Sequence, residues 1–496
     1  MRATPDGNFA ACLVERLGPA SSLIDAATGR SIGPDDLPRL IAAYGESLLS
    51  AGLIEGDRVL IGGSVSPSSA VAYLGAIYAG LVAVPVEDRS LAASAETLVE
   101  VTSAKAIWTE GRLHGTDNLK GSVLCLHGDL GRNSSRPRPP VARTTSDLAA
   151  LMATSGSTGV PRFVMVSHGN LIANTEAIIR SQNLGRDETA MMVLPVSYCF
   201  GASLLHTHLY QGGSVVFDRR FMFPDKVLQA IAQYGCTTFA GVPTVYNVLL
   251  RRSNIRRIKM PSLRRFLQAG GALALQKIDE MRAIFPETPF YVMYGQTEAT
   301  ARITCMEPER WHEKQGSVGR PLDNLTVAVT DEGGNELPVG VVGELSVKGP
   351  SVCTGYWNDW EATRRVFCSG WLRTGDLARQ DDEGYLWIEG RKSAFLKMRG
   401  TRVSFAEVEQ RVASIPGVYE CAASATDHAE AGEALVLYIV PDLGKTIDAK
   451  EIRRHLPAHW ALDSLHLISE LPKNSAGKID RPSLPALSKE SRAATG

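Results

Sequence analysis

"LMATSGSTGVPRFVMVSH", residues 151–168, places a run of small hydroxyl and glycine residues between two apolar segments. The apolar residues on either side of the run, with Val164 to Val166 on the far side, predict two strands. A surface turn needs about two such small residues, whereas Thr154 to Gly159 supply six in a row. Backbone N–H groups and hydroxyls of small residues can surround a phosphate. The stretch therefore predicts two strands joined by a loop that binds an anion, although it lacks the Lys-Ser or Lys-Thr of a P-loop.

Apolar segments such as AKAIWTE, GSVVFD and PFYVMYG alternate with helical patterns along most of the chain. This alternation is typical of parallel sheets covered by helices. From about Thr326 the pattern changes to short strands with glycine turns, and a compact α+β pattern follows Arg391. The sequence therefore predicts an α/β fold with two domains. Residues 1–390 form a large N-terminal domain of parallel sheets covered by helices plus a small β-barrel-like subdomain, and residues 391–496 form a small, mobile α+β C-terminal domain.

The uncharged run at residues 59–86 is long enough to span a bilayer. It is interrupted by Gly62-Gly63, by Pro67 with its flanking serines and by Pro85. A buried βαβ unit, with a helix that opens at Ser66, accounts for these interruptions better than a membrane span does. We therefore predict strand, helix and strand here, with the membrane span as the alternative.

The overall composition excludes several classes of protein. The 496 residues contain 52 Lys plus Arg and 53 Asp plus Glu, so no global field attracts nucleic acid or a membrane surface. Eight cysteines occur without any CxxC pair, which argues against a zinc site or a disulfide framework and suits a reducing cytoplasm. The first residues contain no apolar run, so no secretory signal is predicted.

Three further stretches accompany the loop: MYGQTEAT at 293–300, the segment from WLRTGDLA to FAEVE at 371–409, and LPKNSAGKIDR at 471–481. With the TSGSTG loop, and in this order, they resemble the adenylate-forming superfamily of acyl-CoA synthetases, adenylation domains and luciferases. The resemblance spans residues 24–482. It implies that a carboxylic acid reacts with ATP to give an acyl-adenylate and pyrophosphate, and that the acyl group then passes to a thiol.

The resemblance also implies an ATP site. The TSGSTG loop would close over the β- and γ-phosphates, Tyr294 would stack on adenine, and Thr297 would contact the α-phosphate. Glu298, together with Thr154, would bind Mg²⁺, whose preferred ligands are hard oxygens. Asp376 would accept hydrogen bonds from the ribose hydroxyls. The implied ATP-binding residues are Thr154, Ser155, Gly156, Ser157, Thr158, Gly159, Arg162, Gly270, Gly271, Ala272, Tyr294, Gly295, Asp376 and Arg391.

Lys478 matches the family's catalytic lysine, beside Thr297 and Glu298 as the other catalytic residues. Adenylation brings a substrate carboxylate against a phosphate, and two like charges about 4 Å apart repel by about 4 kcal/mol at an effective dielectric constant near 20. An ammonium group between them removes this repulsion and stabilises the transition state.

In this family the small domain rotates after adenylation and presents a second face for thiol transfer. The segment LKMRGTR, with Lys397 and Gly400, matches that face. The chain departs from the family pattern at three places. Arg162 and Phe163 stand where the family has Lys-Gly, and Ser393 stands where the hinge motif has an aspartate.

The expected acid lacks an α-amino group. Amino-acid-activating relatives carry an aspartate in a stretch resembling FDAS, whereas this chain has Gly201 at that position. An aliphatic or aromatic carboxylic acid therefore fits better. The candidate acyl-pocket residues are Tyr198, Gly201 and Gly241, with Gly270 and Gly295 beside them, and packing alone could also explain the glycines.

Two thiol acceptors remain open at this point. The leading expectation is coenzyme A, and the alternative is the phosphopantetheine arm of an acyl or peptidyl carrier protein. The basic run at 251–265 could meet the phosphates of coenzyme A or an acidic carrier surface, or it could be a solvated helix face. A catalytically silent nucleotide-binding homologue is the second alternative.

Overall fold

The computed structural model describes residues 7–63, 65–111, 119, 123–128, 138–154, 161–392, 394–398, 401–428, 432–445, 447–473 and 479–487. The helices are α1 Phe9–Arg16, α2 Asp36–Ser50, α3 Pro67–Tyr78, α4 Asp88–Thr102, α5 His168–Ser181, α6 Cys199–Tyr210, α7 Pro224–Gln233, α8 Pro243–Arg252, α9 Leu275–Ile284, α10 Trp360–Val366, α11 Phe405–Ala413 and α12 Ala449–His455. The strands of the first part of the chain are β1 Leu23–Asp25, β2 Ser31–Ile32, β3 Arg58–Gly62, β4 Val82–Val86, β5 Ala104–Thr109, β6 Leu124–His127, β7 Leu148–Thr154, β8 Arg162–Ser167, β9 Thr189–Met192, β10 Ser214–Phe217, β11 Thr238–Gly241, β12 Arg265–Gln268, β13 Phe290–Tyr294, β14 Thr304–Cys305 and β15 Arg320–Pro321. The remaining strands are β16 Thr326–Thr330, β17 Gly343–Lys348, β18 Phe367–Cys368, β19 Trp371–Gln380, β20 Leu386–Arg391, β21 Phe395–Met398, β22 Thr401–Ser404, β23 Val418–His428, β24 Gly432–Pro441 and β25 Leu462–Leu467.

Two large sheets form the N-terminal domain. One has the strand order β6-β5-β3-β4-β7-β8, and the other has the order β15-β14-β13-β12-β11-β9-β10-β1-β2. Neighbours from β6 to β7 in the first sheet, and from β13 to β1 in the second, are parallel. The predicted parallel sheets covered by helices are therefore confirmed.

The uncharged run at 59–86 folds as β3, α3 and β4, with β3 and β4 parallel. Ser66 caps α3 by accepting a hydrogen bond from the Ser69 N–H, and Pro67 occupies the first turn, where a missing N–H costs nothing. All residues of β4 are buried, as expected for a parallel strand covered on both faces. No helix in the described ranges is long and apolar enough to cross a membrane.

The two strands predicted from the opening stretch are β7 and β8, which pair antiparallel from Leu148↔Ser167 to Thr154↔Arg162. The far edge of β8 carries a segment from much later in the chain. The Met165 N–H donates to the Gly355 carbonyl at 2.9 Å, and the Trp357 N–H donates to the Phe163 carbonyl at 2.7 Å. This pairing places residues 355–357 beside β8.

The strands predicted after Thr326 form a separate antiparallel sheet of β16, β17, β18, β19 and β20. The rest of the chain forms another sheet, of β21 to β25, with its own apolar core that includes Leu396, Val408 and Leu437. The core of the N-terminal part ends at Leu386. Separate cores on either side of residues 387–395 agree with a large N-terminal and a small C-terminal domain.

Candidate active site

The predicted nucleotide residues lie where strands of the large sheets end. Tyr294 is the last residue of β13, and a single 3₁₀ turn, Thr297–Ala299, follows it. Thr154 ends β7, and β7 packs against this turn. Open α/β sheets bind their ligands outside the carboxyl ends of parallel strands. The fold therefore brings Thr154 and the YGQTE motif to one edge.

The turn after β13 has a tight and unusual backbone. A Cβ at Gly295 would lie 1.9 Å from the Ala301 carbonyl oxygen, so only glycine fits there. Thr300 has φ +66°, which is uncommon for a β-branched residue and is typical of functional sites. The buried Thr300 hydroxyl donates to the Ser351 carbonyl at 2.7 Å and holds this conformation.

Asp376 is the centre of a hydrogen-bonded group at the predicted ribose position. The Tyr294 hydroxyl donates to Asp376 Oδ2 at 2.6 Å, and Arg391 Nε lies 2.8 Å from Asp376 Oδ1. Strand pairing fixes this contact, because Asp376 on β19 and Arg391 on β20 are register partners. The Asp376 N–H also donates to the Thr374 hydroxyl at 3.1 Å. The structure thus brings three predicted residues together around one buried carboxylate.

Glu298 has a partner that the sequence motifs do not indicate. The Tyr356 hydroxyl donates to Glu298 Oε1 at 2.7 Å. Arg162, at the start of β8, places its Nε 3.0 Å from Asp359 Oδ2 and its guanidinium 5.8 Å from the centre of the Tyr356 ring. The cation that replaces the family's lysine therefore lies near Tyr356, the partner of Glu298, and it pairs with Asp359.

The two tyrosines and Arg391 have shifted pKa values that agree with this crowding. Burial and the Asp376 carboxylate raise the pKa of Tyr294, and burial and the Glu298 carboxylate raise the pKa of Tyr356. Partial desolvation alone would lower the pKa of the half-exposed Arg391, but the Asp376 and Glu298 carboxylates and the neighbouring phenols raise it. Both phenols therefore stay protonated and donate at neutral pH.

The donor set at Glu298 suits Mg²⁺. It offers a carboxylate on the turn and the Thr154 hydroxyl on the adjoining strand, and a magnesium ion needs few protein ligands when phosphate oxygens and waters complete its shell. Among the described residues, the acidic group that could hold a metal is Asp381, Asp382 and Glu383, on the distant β19–β20 turn. Lys314 neutralises that group, with its Nζ 2.7 Å from Asp381 Oδ2.

The turn predicted to bind adenine follows β12. Gly270 has φ +88°, which favours glycine, and a Cβ at Gly271 would make only an ordinary contact with Pro243. Gly271 and Ala272 are exposed, and Gln268 Nε2 donates to the Gly271 carbonyl at 2.8 Å. Gly271 and Ala272 are thus accessible from solvent, while the Gln268 side chain anchors the backbone of the turn.

Two of the candidate acyl-pocket glycines have packing roles. A Cβ at Gly201 would lie 2.2 Å from the Pro195 carbonyl oxygen, and a Cβ at Gly241 would lie 2.6 Å from Val245 Cγ1. Tyr198 directly precedes α6, and burial raises its pKa. The glycines therefore allow close packing of α6 and β11, and Tyr198 is the side chain among the three candidates that can face a ligand.

Some predicted residues lie outside the described ranges. These are Ser155, Gly156, Ser157, Thr158, Gly159, Ser393, Gly400 and Lys478. Lys397 lies on β21. Phe163, the other departure from the family pattern, is buried in the core beneath β7 and β8.

Sequence reasoning missed Tyr356, Asp359 and Cys199. Cys199 is the first residue of α6, and Thr297 Oγ1 donates to its sulfur at 3.6 Å. An aromatic residue directly after Gly355 was the available signal for Tyr356. Its contact with Glu298 joins residues 58 positions apart, which no local pattern indicates.

The fold is α/β, and an aromatic ring, a hydroxyl and two carboxylates lie at its strand ends. This combination defines a nucleotide-binding enzyme of the adenylate-forming class. The AMP-binding enzyme family matches residues 19–357, and the AMP-binding enzyme C-terminal domain matches residues 407–478. The chain belongs to this family.

Relatives and solved structures agree over the whole length. The feruloyl-CoA synthase of an Amycolatopsis species is 31% identical over 474 residues, which cover 91% of this chain and 93% of that protein. ATP-bound MatB from Rhodopseudomonas palustris superposes with a TM-score of 0.87 at 27% identity and covers 98% of this chain and 99% of its own. The o-succinylbenzoate CoA synthetase MenE from Bacillus subtilis, in complex with its acyl-adenylate, gives a TM-score of 0.85 at 26% identity, over 97% and 98% of the two chains.

Proposed function

We propose that the chain is an AMP-forming acid–thiol ligase that activates a carboxylic acid with ATP and transfers the acyl group to coenzyme A. The observation that carries the proposal is the group of Tyr294, Asp376 and Arg391 beside Glu298. It supplies a ring for a base, a buried acceptor for ribose hydroxyls and a carboxylate for a metal. The feruloyl-CoA synthase, similar over nearly its full length, supports coenzyme A as the acceptor.

Each proposed role follows from the chemistry of the side chain. Tyr294 binds adenine with its ring while its hydroxyl orients Asp376. Asp376 accepts from the ribose hydroxyls, and charge-assisted bonds of this kind are about twice as strong as neutral ones. Thr297 donates to the α-phosphate. A bound Mg²⁺ supplies charge neutralisation on the phosphates, and Glu298 and Thr154 are the residues that hold it.

Lys478 and the loop from Ser155 to Gly159 keep their predicted roles as proposals. Lys478 places its ammonium between the attacking carboxylate and the α-phosphate, and the loop binds the outer phosphates. Lys397 and Gly400 belong to the face that serves thiol transfer. We place the domain boundary at residues 390–391, which β20 spans, because the cores on its two sides are separate.

The basic run at 251–265 gives little support to a carrier protein as the acceptor. Arg256 pairs with Glu280, and Arg264 pairs with Asp187 at 2.7 Å. Arg251 lies over an aromatic ring of the C-terminal segment at 3.8 Å. Cations that already have internal partners attract an acidic surface weakly, so we favour coenzyme A over a phosphopantetheine arm.

The test is a two-stage assay on the purified full chain. Exchange of pyrophosphate into ATP is measured against fatty, aryl, dicarboxylic and β-amino acids, and thioester formation is then measured with coenzyme A. The proposal predicts exchange with at least one class and thioester formation with the same class. Exchange with no acid would contradict the ligase, and exchange without thioester formation would favour the carrier-protein alternative.

A further inference from the structure

Arg302 is a buried cation without an acidic partner. Its exposed fraction is 2%, and its Nε has no hydrogen-bond partner. No carboxylate among the described residues forms a salt bridge with it. An ionised side chain buried without a counter-charge costs several kcal/mol, so such a group is rarely kept without a reason. Arg302 follows the YGQTE motif by four residues.

The other deeply buried arginine among the described residues, Arg265, has an acidic partner, as buried charges usually do. Arg265 is 7% exposed and pairs with Glu188 Oε2 at 2.8 Å, and it also donates to the Thr238 hydroxyl at 3.0 Å. Arg265, an arginine with a structural role, therefore has an acidic partner. Among the described residues, Arg302 has none.

No carboxylate of the described residues is among the groups that act on Arg302. Its guanidinium lies 4.8 Å from the centre of the Phe200 ring, and the titratable groups that act on it are the thiols of Cys305 and Cys199. Burial raises the pKa of Cys305 to about 12, so this thiol stays neutral. Burial lowers the pKa of Arg302 only to about 10, so the guanidinium stays charged at neutral pH.

The position of Arg302 is fixed from the backbone. Asn174 on α5 donates from Nδ2 to the Arg302 carbonyl at 2.9 Å, and its Oδ1 accepts from the Arg302 N–H at 3.3 Å. The backbone from which the buried guanidinium extends is thus fixed before any ligand arrives, as a specific binding residue requires.

Arg302 lies on the acyl side of the proposed site. Phe200, over which it is stacked, follows Tyr198 and Cys199 at the start of α6. The Cys199 sulfur accepts from Thr297 Oγ1, the proposed α-phosphate donor. The cation and the adenylation residues therefore border the same end of α6.

We propose that Arg302 binds a second carboxylate of the substrate, so that the acid activated by this enzyme is a dicarboxylic acid. The inference rests on the proposed ligase function and names its substrate class. A planar guanidinium can donate two parallel hydrogen bonds to a carboxylate. The second carboxylate supplies the counter-charge that the fold lacks, and the distance between the two ends limits the length of the acid.

The experiment compares each dicarboxylic acid with its half-amide, which has the same shape but a neutral far end. Succinate with succinamate and phthalate with phthalamate are suitable pairs, and a monocarboxylic acid of equal length completes each set. Pyrophosphate exchange gives kcat/KM for the wild type, Arg302→Met and Arg302→Lys. The KM for ATP and the thermal unfolding midpoint are measured alongside.

We expect the wild type to prefer the best diacid over its half-amide by about 10²-fold, the order expected for a buried charge pair. Arg302→Met should lose this preference with an unchanged KM for ATP, and Arg302→Lys should keep part of it. A wild type that activates the half-amide or the monoacid equally well would overturn the inference, while its exchange activity would leave the ligase function standing. An unchanged preference in Arg302→Met would also overturn it. Failure of every acid in the wild type would instead reject the ligase function itself.

Discussion

Replacement of Asp376 by asparagine is the sharpest test of the proposed nucleotide site. The side chain is 6% exposed, and its two oxygens contact the Tyr294 hydroxyl at 2.6 Å and Arg391 Nε at 2.8 Å. Asn has nearly the same shape but carries no charge and offers one acceptor instead of two. The substitution therefore changes the hydrogen-bonding capacity of the site with little change in its volume.

The expected loss can be worked out from these contacts. A hydrogen bond to a charged group contributes about 1.5–3 kcal/mol, so two ribose hydroxyls on Asp376 give about 3–6 kcal/mol at most. Binding displaces or shares the bonds from Tyr294 and Arg391, and asparagine keeps one acceptor. We therefore expect a net loss of about 2–4 kcal/mol, on the order of 10²-fold in nucleotide affinity. Because the Arg391 side chain is 56% exposed, its ion pair adds only about 0–1 kcal/mol to folding, and the variant should stay folded.

Calorimetric titration with AMP and with dideoxy-AMP separates the ribose contact from other effects. The wild type should bind AMP more tightly than the analogue without ribose hydroxyls, and Asp376→Asn should lose most of this preference. Asp382→Asn, the same change at an exposed residue of the following turn, is the control and should retain the wild-type preference. If Asp376→Asn still discriminates between the two nucleotides as the wild type does, Asp376 does not bind ribose and the proposed site is wrong.

Three further changes test other parts of the site and fold. Tyr356→Phe removes the hydroxyl that donates to Glu298, so the Mg²⁺ concentration for half-maximal exchange should rise about tenfold, and an unchanged Mg²⁺ curve would reject this contact. Lys478→Ala should lower pyrophosphate exchange by about 10²-fold or more, and full exchange would remove the lysine from the mechanism. Burial lowers the pKa of His206 from 6.5 to about 3, so the unfolded state alone takes up its proton as the pH falls below 6.5. Stability from this ring is therefore lost between about pH 6.5 and 4.5, by about 2 kcal/mol. The free energy of unfolding is measured in urea across this pH range. Its fall should be smaller in His206→Leu than in the wild type by this amount, and an unaltered fall would contradict the assignment.

The fold was largely predictable from local patterns. The apolar run at 59–86 and its interruptions gave the strands and the start of α3, because a serine before a proline is a strong helix-start signal and a fully buried strand needs apolar residues throughout. The apolar segments on either side of the opening loop likewise predicted β7 and β8. The partner of β8, residues 355–357, was not predictable, because a pairing across nearly two hundred residues leaves no local trace.

The site was predictable where one motif carries the chemistry and not where distant residues meet. Asp376 and Tyr294 follow from the family motifs, and the structure adds that they contact each other. Gly201 shows a different limit. A missing side chain does not reveal which neighbour it makes room for, and the structure shows that a Cβ here would meet the Pro195 carbonyl oxygen. The sequence likewise shows the positive charge of the basic run at 251–265, but it does not show the internal partners that neutralise much of this charge.

The carboxylates of Asp376 and Glu298 are held in the same way, because each accepts a hydrogen bond from a tyrosine on another element. A carboxylate held in this way keeps its orientation without ligand, so little ordering entropy is lost when a nucleotide or metal arrives. In the proposed site, ribose binding would exchange one set of donors for another and would not have to desolvate a bare anion. Arg302 has no such partner among the described residues, and this contrast separates the two kinds of group. Under the proposals made above, the acids are oriented in advance for nucleotide and metal, whereas the cation receives its counter-charge only from the correct acid.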